Sequence, residues 1–128
     1  MRIIAGTYRG TVLADVGKGD VEAHLRPTSD RVRESLFSML THLDVIHGAR
    51  VLDLFAGTGA LGLEALSRGA EHVVFNENGR VAQKLVTQNI EKLQAKATTT
   101  LMRNDATQLG AWPMAPFGLV FLDPPYGK

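Results

Sequence analysis

The chain has 128 residues, a formal net charge of +1, 45% hydrophobic residues and 21% charged residues, the balance of a soluble globular domain large enough to bury its own core. It contains no cysteine, which excludes disulfides, zinc–thiolate sites, iron–sulfur clusters and a cysteine nucleophile. Its four histidines lack HExxH-like spacing, so no metal is expected.

No apolar run reaches the ~18 residues of a membrane span. The opening "MRIIAGTYRG" is too short in apolar residues for a signal peptide. A cytoplasmic protein is the expectation.

Taken in chain order, "RIIA" and "TVLA" read as short strands around "GTYRG", so residues 1–25 predict an irregular β hairpin. "RPTSDRVRESLFSMLTHL" follows. Its Thr-Ser-Asp cluster predicts a helix start. Val32, Leu36, Phe37, Met39, Leu40 and Leu43 recur at helical spacing and predict one buried face. Strand and helix patterns then alternate. "RVLDLF", "HVVFN", "TTTLMR" and "LVFLD" read as strands. "GALGLEALSRG" reads as a helix stopped at Gly69. "RVAQKLVTQNIEKL" reads as a second, with Val81, Leu85, Val86, Asn89, Ile90 and Leu93 facing inward. Such alternation predicts parallel βαβ units, half of a doubly wound α/β sheet.

Ligands of open parallel sheets bind beyond the carboxyl ends of the strands. Those ends carry acids in all four cases: Asp53, Glu77, Asp105 after Asn104, and Asp123. The first strand also runs into Gly57-Thr58-Gly59-Ala60-Leu61-Gly62, a literal G-x-G-x-x-G. Glycines there allow close backbone approach to a ligand at a helix N-terminus. Glu77 lies eighteen residues after Gly59, suited to accepting hydrogen bonds from ribose hydroxyls. To this point a nicotinamide dinucleotide and S-adenosyl-L-methionine fit about equally. Asp53 shifts the balance, because a carboxylate repels a pyrophosphate and attracts a sulfonium and an amino group. Asp105 adds an acceptor for an adenine amine.

The chain closes on "GLVFLDPPYGK". Prolines lack N–H and fix φ, so Asp123-Pro124-Pro125-Tyr126 is a stiff loop of directed acceptors. Asp123 and the Pro124 carbonyl can take both hydrogens of an aromatic amine and aim its nitrogen at an electrophilic methyl group. Tyr126 offers a face for base stacking, worth ~1–3 kcal/mol per base in nucleic-acid sites. The reaction class is in-line methyl displacement driven by alignment and electrostatic support. Arg2 and Arg9 have no neighbouring acid, and Arg26, Arg31 and Arg33 cluster within eight residues, diluted by Asp30 and Glu34. They are either a phosphate-binding patch or a solvated helix start.

"RIIAGTYRG", "LRPTSDRVRESLF", "DLFAGTGALGLEALSRGA" and "DPPYGK" together resemble the bacterial 16S ribosomal RNA guanine-N2 methyltransferases over nearly the whole chain. The resemblance implies a Rossmann-like class I methyltransferase sheet, parallel with helices on both faces, preceded by the N-terminal hairpin and helix. It implies S-adenosyl-L-methionine as cofactor and 16S ribosomal RNA, or the small ribosomal subunit, as partner. Residues 1–47 would be an RNA-facing extension and residues 48–128 the cofactor-binding core. Asp53, Gly57 and Gly59 would line the methionine end of the cofactor, Glu77 would hold the ribose and Asp105 the adenine, with Phe55, Ala56, Asn104 and Ala106 also cofactor-binding. Asp123, Pro124, Pro125 and Tyr126 would present the guanine, with Arg2, Arg9, Arg26, Arg31 and Arg33 on the RNA side.

The chain departs from the family pattern at Asn76, at "NGR" over residues 78–80 and at Asn104. It also stops where the family continues with further strands. The expectation is a piece of a longer protein, with assembly over the exposed edge of "LVFLD" as the alternative. Competing functions are an adenine-N6 methyltransferase acting on DNA or RNA, a binding module without catalysis, and a dinucleotide-dependent oxidoreductase.

Overall fold

The computed structural model describes residues 1–14, 29–103 and 117–122. Of the hairpin expected over residues 1–25, the described part carries an antiparallel bridge between Arg2 and Val12, and residues 15–25 lie outside the described residues. Backbone bonds from Ile3 to Thr11 (2.9 Å), Gly10 to Ile3 (2.8 Å) and Leu13 to Met1 (2.8 Å) hold it.

Helix α1 (Asp30–His42) starts at Ser29, whose side chain accepts from the Val32 amide at 3.2 Å. This satisfies one of the orphan donors of the first turn. The face it buries differs from the sequence expectation. Phe37 and Leu40 go inward together with Arg33, whereas Val32, Met39 and Leu43 stay 58%, 55% and 59% exposed.

The chain then alternates β1 (Arg50–Asp53), α2 (Ala60–Ser67), β2 (His72–Asn76), α3 (Arg80–Lys92), a short 3₁₀ turn (Lys96–Thr98), β3 (Thr99–Met102) and β4 (Leu119–Phe121). All strand pairs are parallel, in the order β3-β2-β1-β4. The fold is therefore half of a doubly wound α/β parallel sheet, as the strand and helix alternation predicts. Strand order runs outward from β1 to β3 and then returns to β4 on the other side of β1. The order reverses between β1 and β4, and ligands of such sheets bind beyond the carboxyl ends of the strands at the point of reversal.

Helix α2 ends as the sequence indicates. The Gly69 amide bonds to Leu66 and the Ala70 amide to Ala65, both at 3.1 Å. With Gly69 left-handed at φ +111°, this is a Schellman closure. In α3 the buried positions are Ala82, Val86, Asn89 and Ile90. Val81 is 43% exposed, so it departs from the inward face the spacing gave it.

Register places Val51 beside Val73 and Leu119, and Asp53 beside Phe75 and Phe121, on one sheet face. Among the described residues the helices pack on that face. Gly62 of α2 lies against Phe75 and Val73, Phe37 of α1 meets Phe121 with ring centroids 5.6 Å apart, and Val86 and Ile90 of α3 join the same core cluster. The hairpin adds Ile3 and Leu13 to this cluster. Each large apolar side chain buried there contributes roughly 1.5–3 kcal/mol, so the N-terminal segment shares one core with the sheet. No helix of the described residues is long and apolar enough to cross a membrane.

Candidate functional site

The carboxyl ends of β1 and β2 lie side by side, with Asp53 in register with Phe75. Between β1 and α2 runs the glycine loop. Gly59 occupies the N-cap position of α2 in the left-handed region, φ +85°, and offers no side-chain cap. A residue with a side chain is strained in that conformation, so the sequence needs glycine there and must cap the helix by other means.

Asp53 supplies that cap. It is 1% exposed, and its Oδ2 accepts from the Gly62 amide at 3.1 Å. Gly62 is the third residue of α2. A carboxylate reaching from the preceding strand thus does the work of an N-cap side chain, with its charge against the positive end of the helix. Gly62 itself is a packing requirement: an added Cβ would lie 2.4 Å from the Phe75 ring and 2.9 Å from Val73.

Glu77, just beyond β2, braces the same loop from the other side. Its Oε1 accepts from the Gly57 amide at 2.8 Å and its Oε2 from the Gly79 amide at 2.9 Å. Both are charge-assisted bonds. Within "NGR", an added Cβ at Gly79 would lie 3.0 Å from Glu77 Oε2. Each carboxylate oxygen accepts up to two bonds, so Glu77 retains acceptor capacity toward a ligand. Asn76, the other variation, is 1% exposed. Its Nδ2 donates to the Leu54 carbonyl at 3.3 Å, while its own carbonyl accepts from Ala56 at 3.1 Å. Ala56 is buried and Phe55 half-buried beside the loop. The structure therefore brings together Asp53, Phe55, Ala56, Gly57, Gly59 and Glu77.

The arginines divide. Arg2, Arg9 and Arg31 are exposed and line one groove of about 400 Å³, together with Asp30 and Glu34. Arg33 is not with them, contrary to the sequence expectation. It is fully buried, donating to Glu64 Oε1 at 3.2 Å and pairing with Asp30. A buried guanidinium already held by two carboxylates is part of the framework, not a phosphate ligand. Arg26, Asn104, Asp105, Ala106, Asp123, Pro124, Pro125 and Tyr126 lie outside the described residues.

Supporting residues that the motif reading passed over are Glu64, Ser67 and Asn89. Glu64 is fully buried and accepts from the Ile4 amide (2.9 Å), the Ala5 amide (3.2 Å), Arg33 and Arg68 Nε (2.8 Å). Its signal was present: a single acid in the otherwise apolar helix "ALGLEALS". Asn89 was assigned to the inner face of α3 without a task. It is fully buried there and bonds to Ala14 and Thr58.

The comparisons agree with this architecture. Ribosomal RNA small subunit methyltransferase D of Escherichia coli (strain K12) is 40% identical over 128 residues, covering 100% of this chain and 61% of the relative. The protein of the same name from Haemophilus influenzae is 39% identical over 131 residues, covering 98% of this chain and 64% of the relative. Among solved structures, yhhF from Escherichia coli superposes with a TM-score of 0.79 at 38% identity, covering 98% of this chain and 64% of the other. The chain thus spans 61% to 64% of the length of these relatives. The family model described as conserved hypothetical protein 95 matches residues 1–128, and the chain belongs to that family, the one that includes ribosomal RNA small subunit methyltransferase D.

Proposed function

We propose that the chain binds S-adenosyl-L-methionine and serves methyl transfer to the exocyclic N2 amine of a guanine in 16S ribosomal RNA. The observation that carries this reading is the glycine loop held between two carboxylates, Asp53 on the Gly62 amide and Glu77 on the Gly57 amide. A dinucleotide pyrophosphate would need the amides at the start of α2 for itself. Asp53 already occupies one of them, and its charge opposes an anion. A cofactor with a cationic sulfonium and amino group meets a favourable field at the same place. The names of the curated relatives support ribosomal RNA as the substrate.

In this reading S-adenosyl-L-methionine supplies an electrophilic methyl group. The protein aligns and shields. Gly57 and Gly59, with Phe55 and Ala56, let the backbone approach the methionine end. Glu77 accepts from the ribose through its remaining lone pairs, and Asp105, flanked by Asn104 and Ala106, accepts from the adenine amine. Asp123 and the Pro124 carbonyl accept hydrogen bonds from the guanine amine, Pro125 and Tyr126 complete the motif with Tyr126 stacking on the base, and as the methyl group bonds to N2 the amine loses one proton and S-adenosylhomocysteine leaves. Arg2, Arg9 and Arg31 meet RNA phosphates, and Arg26 is assigned to the same role from the sequence alone. Residues 1–47 form the RNA-facing extension and residues 48–128 the cofactor-binding core, in the cytoplasm.

The test is transfer of label from tritiated S-adenosylmethionine to unmethylated 16S ribosomal RNA and to small ribosomal subunits, followed by nucleoside analysis. Labelled N2-methylguanosine is expected, and Asp123→Ala should abolish it. Label in N6-methyladenosine, or in duplex DNA in place of ribosomal RNA, would overturn the substrate assignment.

A further inference from the structure

The N-terminal hairpin is tied to α2 at one end and to the glycine loop at the other. At the turn end, Glu64 accepts from the Ile4 and Ala5 amides at 2.9 and 3.2 Å. Ser67 takes the Tyr8 amide on its hydroxyl at 2.9 Å and donates to the Ala5 carbonyl at 2.6 Å. These ties run to α2, the helix that the glycine loop begins.

At the open end the tie runs to the loop itself, through Asn89. Its Oδ1 accepts from the Ala14 amide at 2.7 Å, and its Nδ2 donates to the Ala14 carbonyl at 3.0 Å and to the Thr58 carbonyl at 2.8 Å. Thr58 lies between Gly57 and Gly59, and its hydroxyl also faces the Met1 sulfur at 3.9 Å. Asn89 is fully buried, and a buried polar group that loses its partner is costly. Its amide is satisfied only when the hairpin end and the glycine loop are both in place. Displacing either one leaves a buried polar group unpaired and weakens the hold on the other.

We infer that Asn89 is a positioning residue that couples the glycine loop to the N-terminal hairpin, so that cofactor binding and RNA binding strengthen each other. The inference rests on the methyltransferase reading above. A cofactor that fixes the loop at Thr58 fixes Ala14 through Asn89. RNA that grips Arg2 and Arg9 on the hairpin fixes the loop by the same route. Linkage makes the effect reciprocal, and couplings between two binding sites are typically about 5- to 150-fold.

The test measures the affinity of the intact chain for unmethylated 16S ribosomal RNA, with and without saturating S-adenosylhomocysteine. The wild type should bind RNA about tenfold more tightly with the cofactor product present, a coupling within the usual range. Asn89→Asp keeps the acceptor and the size but removes both donations. Asn89→Ser keeps a small polar group. Either should bring the ratio close to one, in chains shown to be folded by circular dichroism and melting. A purely structural role would lower stability or both affinities but leave the ratio unchanged, and that result would overturn the inference. Should both variants fail to fold, hydrogen exchange of the wild type decides. The Ala14 amide should exchange roughly tenfold more slowly with S-adenosylhomocysteine bound, in proportion to the same coupling, and an unchanged rate would overturn the inference. Binding of both ligands without coupling rejects this inference alone. No cofactor binding at all rejects the methyltransferase reading and the inference with it.

Discussion

Glu64 shows how much one side chain organises here. It is fully buried and accepts from two hairpin amides, Arg33 and Arg68. A buried ion pair does not by itself stabilise a fold, but removing one partner strands the other charge at a cost of about 3–5 kcal/mol. Glu64→Ala should therefore lower the unfolding free energy in urea by about that amount. Glu64→Gln, which keeps the shape and an acceptor, should cost less. Equal stability of Glu64→Ala and the wild type would show that the network contributes nothing. At the far end of β2, His72 bonds to Thr100 Oγ1 at 2.9 Å. Burial, and secondarily the Arg50 charge, lower its pKa from 6.5, partly opposed by Glu71. A histidine with a depressed folded-state pKa contributes stability above its unfolded pKa and loses it as pH falls. The melting temperature should thus decline as pH drops below 6.5, and His72→Gln should reduce that decline. An identical pH dependence in the variant would assign the effect to other groups. These residue-scale features were the hardest to read from the sequence. A buried Glu64 and a surface glutamate use the same letter, and the burial of Arg33 follows from where Glu64 sits, 31 residues away.

At the scale of elements, the strands and the glycine loop were legible because local rules fix them. β2 occupies the span of "HVVFN" as the pattern predicts, and Gly69 closes α2. Helix α1 was less legible. It carries two stripes at helical spacing, one through Val32, Leu36, Met39 and Leu43 and one through Arg33, Phe37 and Leu40. Apolarity alone favours a merged face. The structure selects the second stripe, because Glu64 and Phe121 stand opposite it. The loop glycines yield a contrast that tests the element directly. At Gly59 an added Cβ finds ordinary contacts of 3.5–3.6 Å, but φ is +85°, so Gly59→Ala should cost roughly 1–2 kcal/mol in backbone strain. At Gly62 the conformation is helical, but the Phe75 ring is 2.4 Å from the new atom, so Gly62→Ala should cost about 1–3 kcal/mol through overpacking. Trimming the ring in the double variant Gly62→Ala with Phe75→Leu should recover part of the Gly62→Ala loss, whereas the same ring change should recover none of the Gly59→Ala loss. Urea unfolding of the set measures this, and strictly additive effects at Gly62 and Phe75 would contradict the packing account.

On the scale of the whole molecule, hairpin, helices and sheet share one apolar cluster running from Ile3 to Phe121. The glycine loop sits where three parts of it meet: β1 through Asp53, β2 through Glu77, and the hairpin through Asn89 and Met1. The glycine loop and the two carboxylates beside it were readable from motif and spacing. Their bracing was not, because bonds such as Asn89 to Ala14 join residues 75 positions apart. We propose that this braced loop receives S-adenosyl-L-methionine. That binding is tested most directly by calorimetric titration of the folded chain with S-adenosylmethionine, with NADH as the competing ligand. Micromolar binding of S-adenosylmethionine that Glu77→Ala abolishes is expected, with no binding of NADH. Binding of NADH without affinity for S-adenosylmethionine would contradict the proposal.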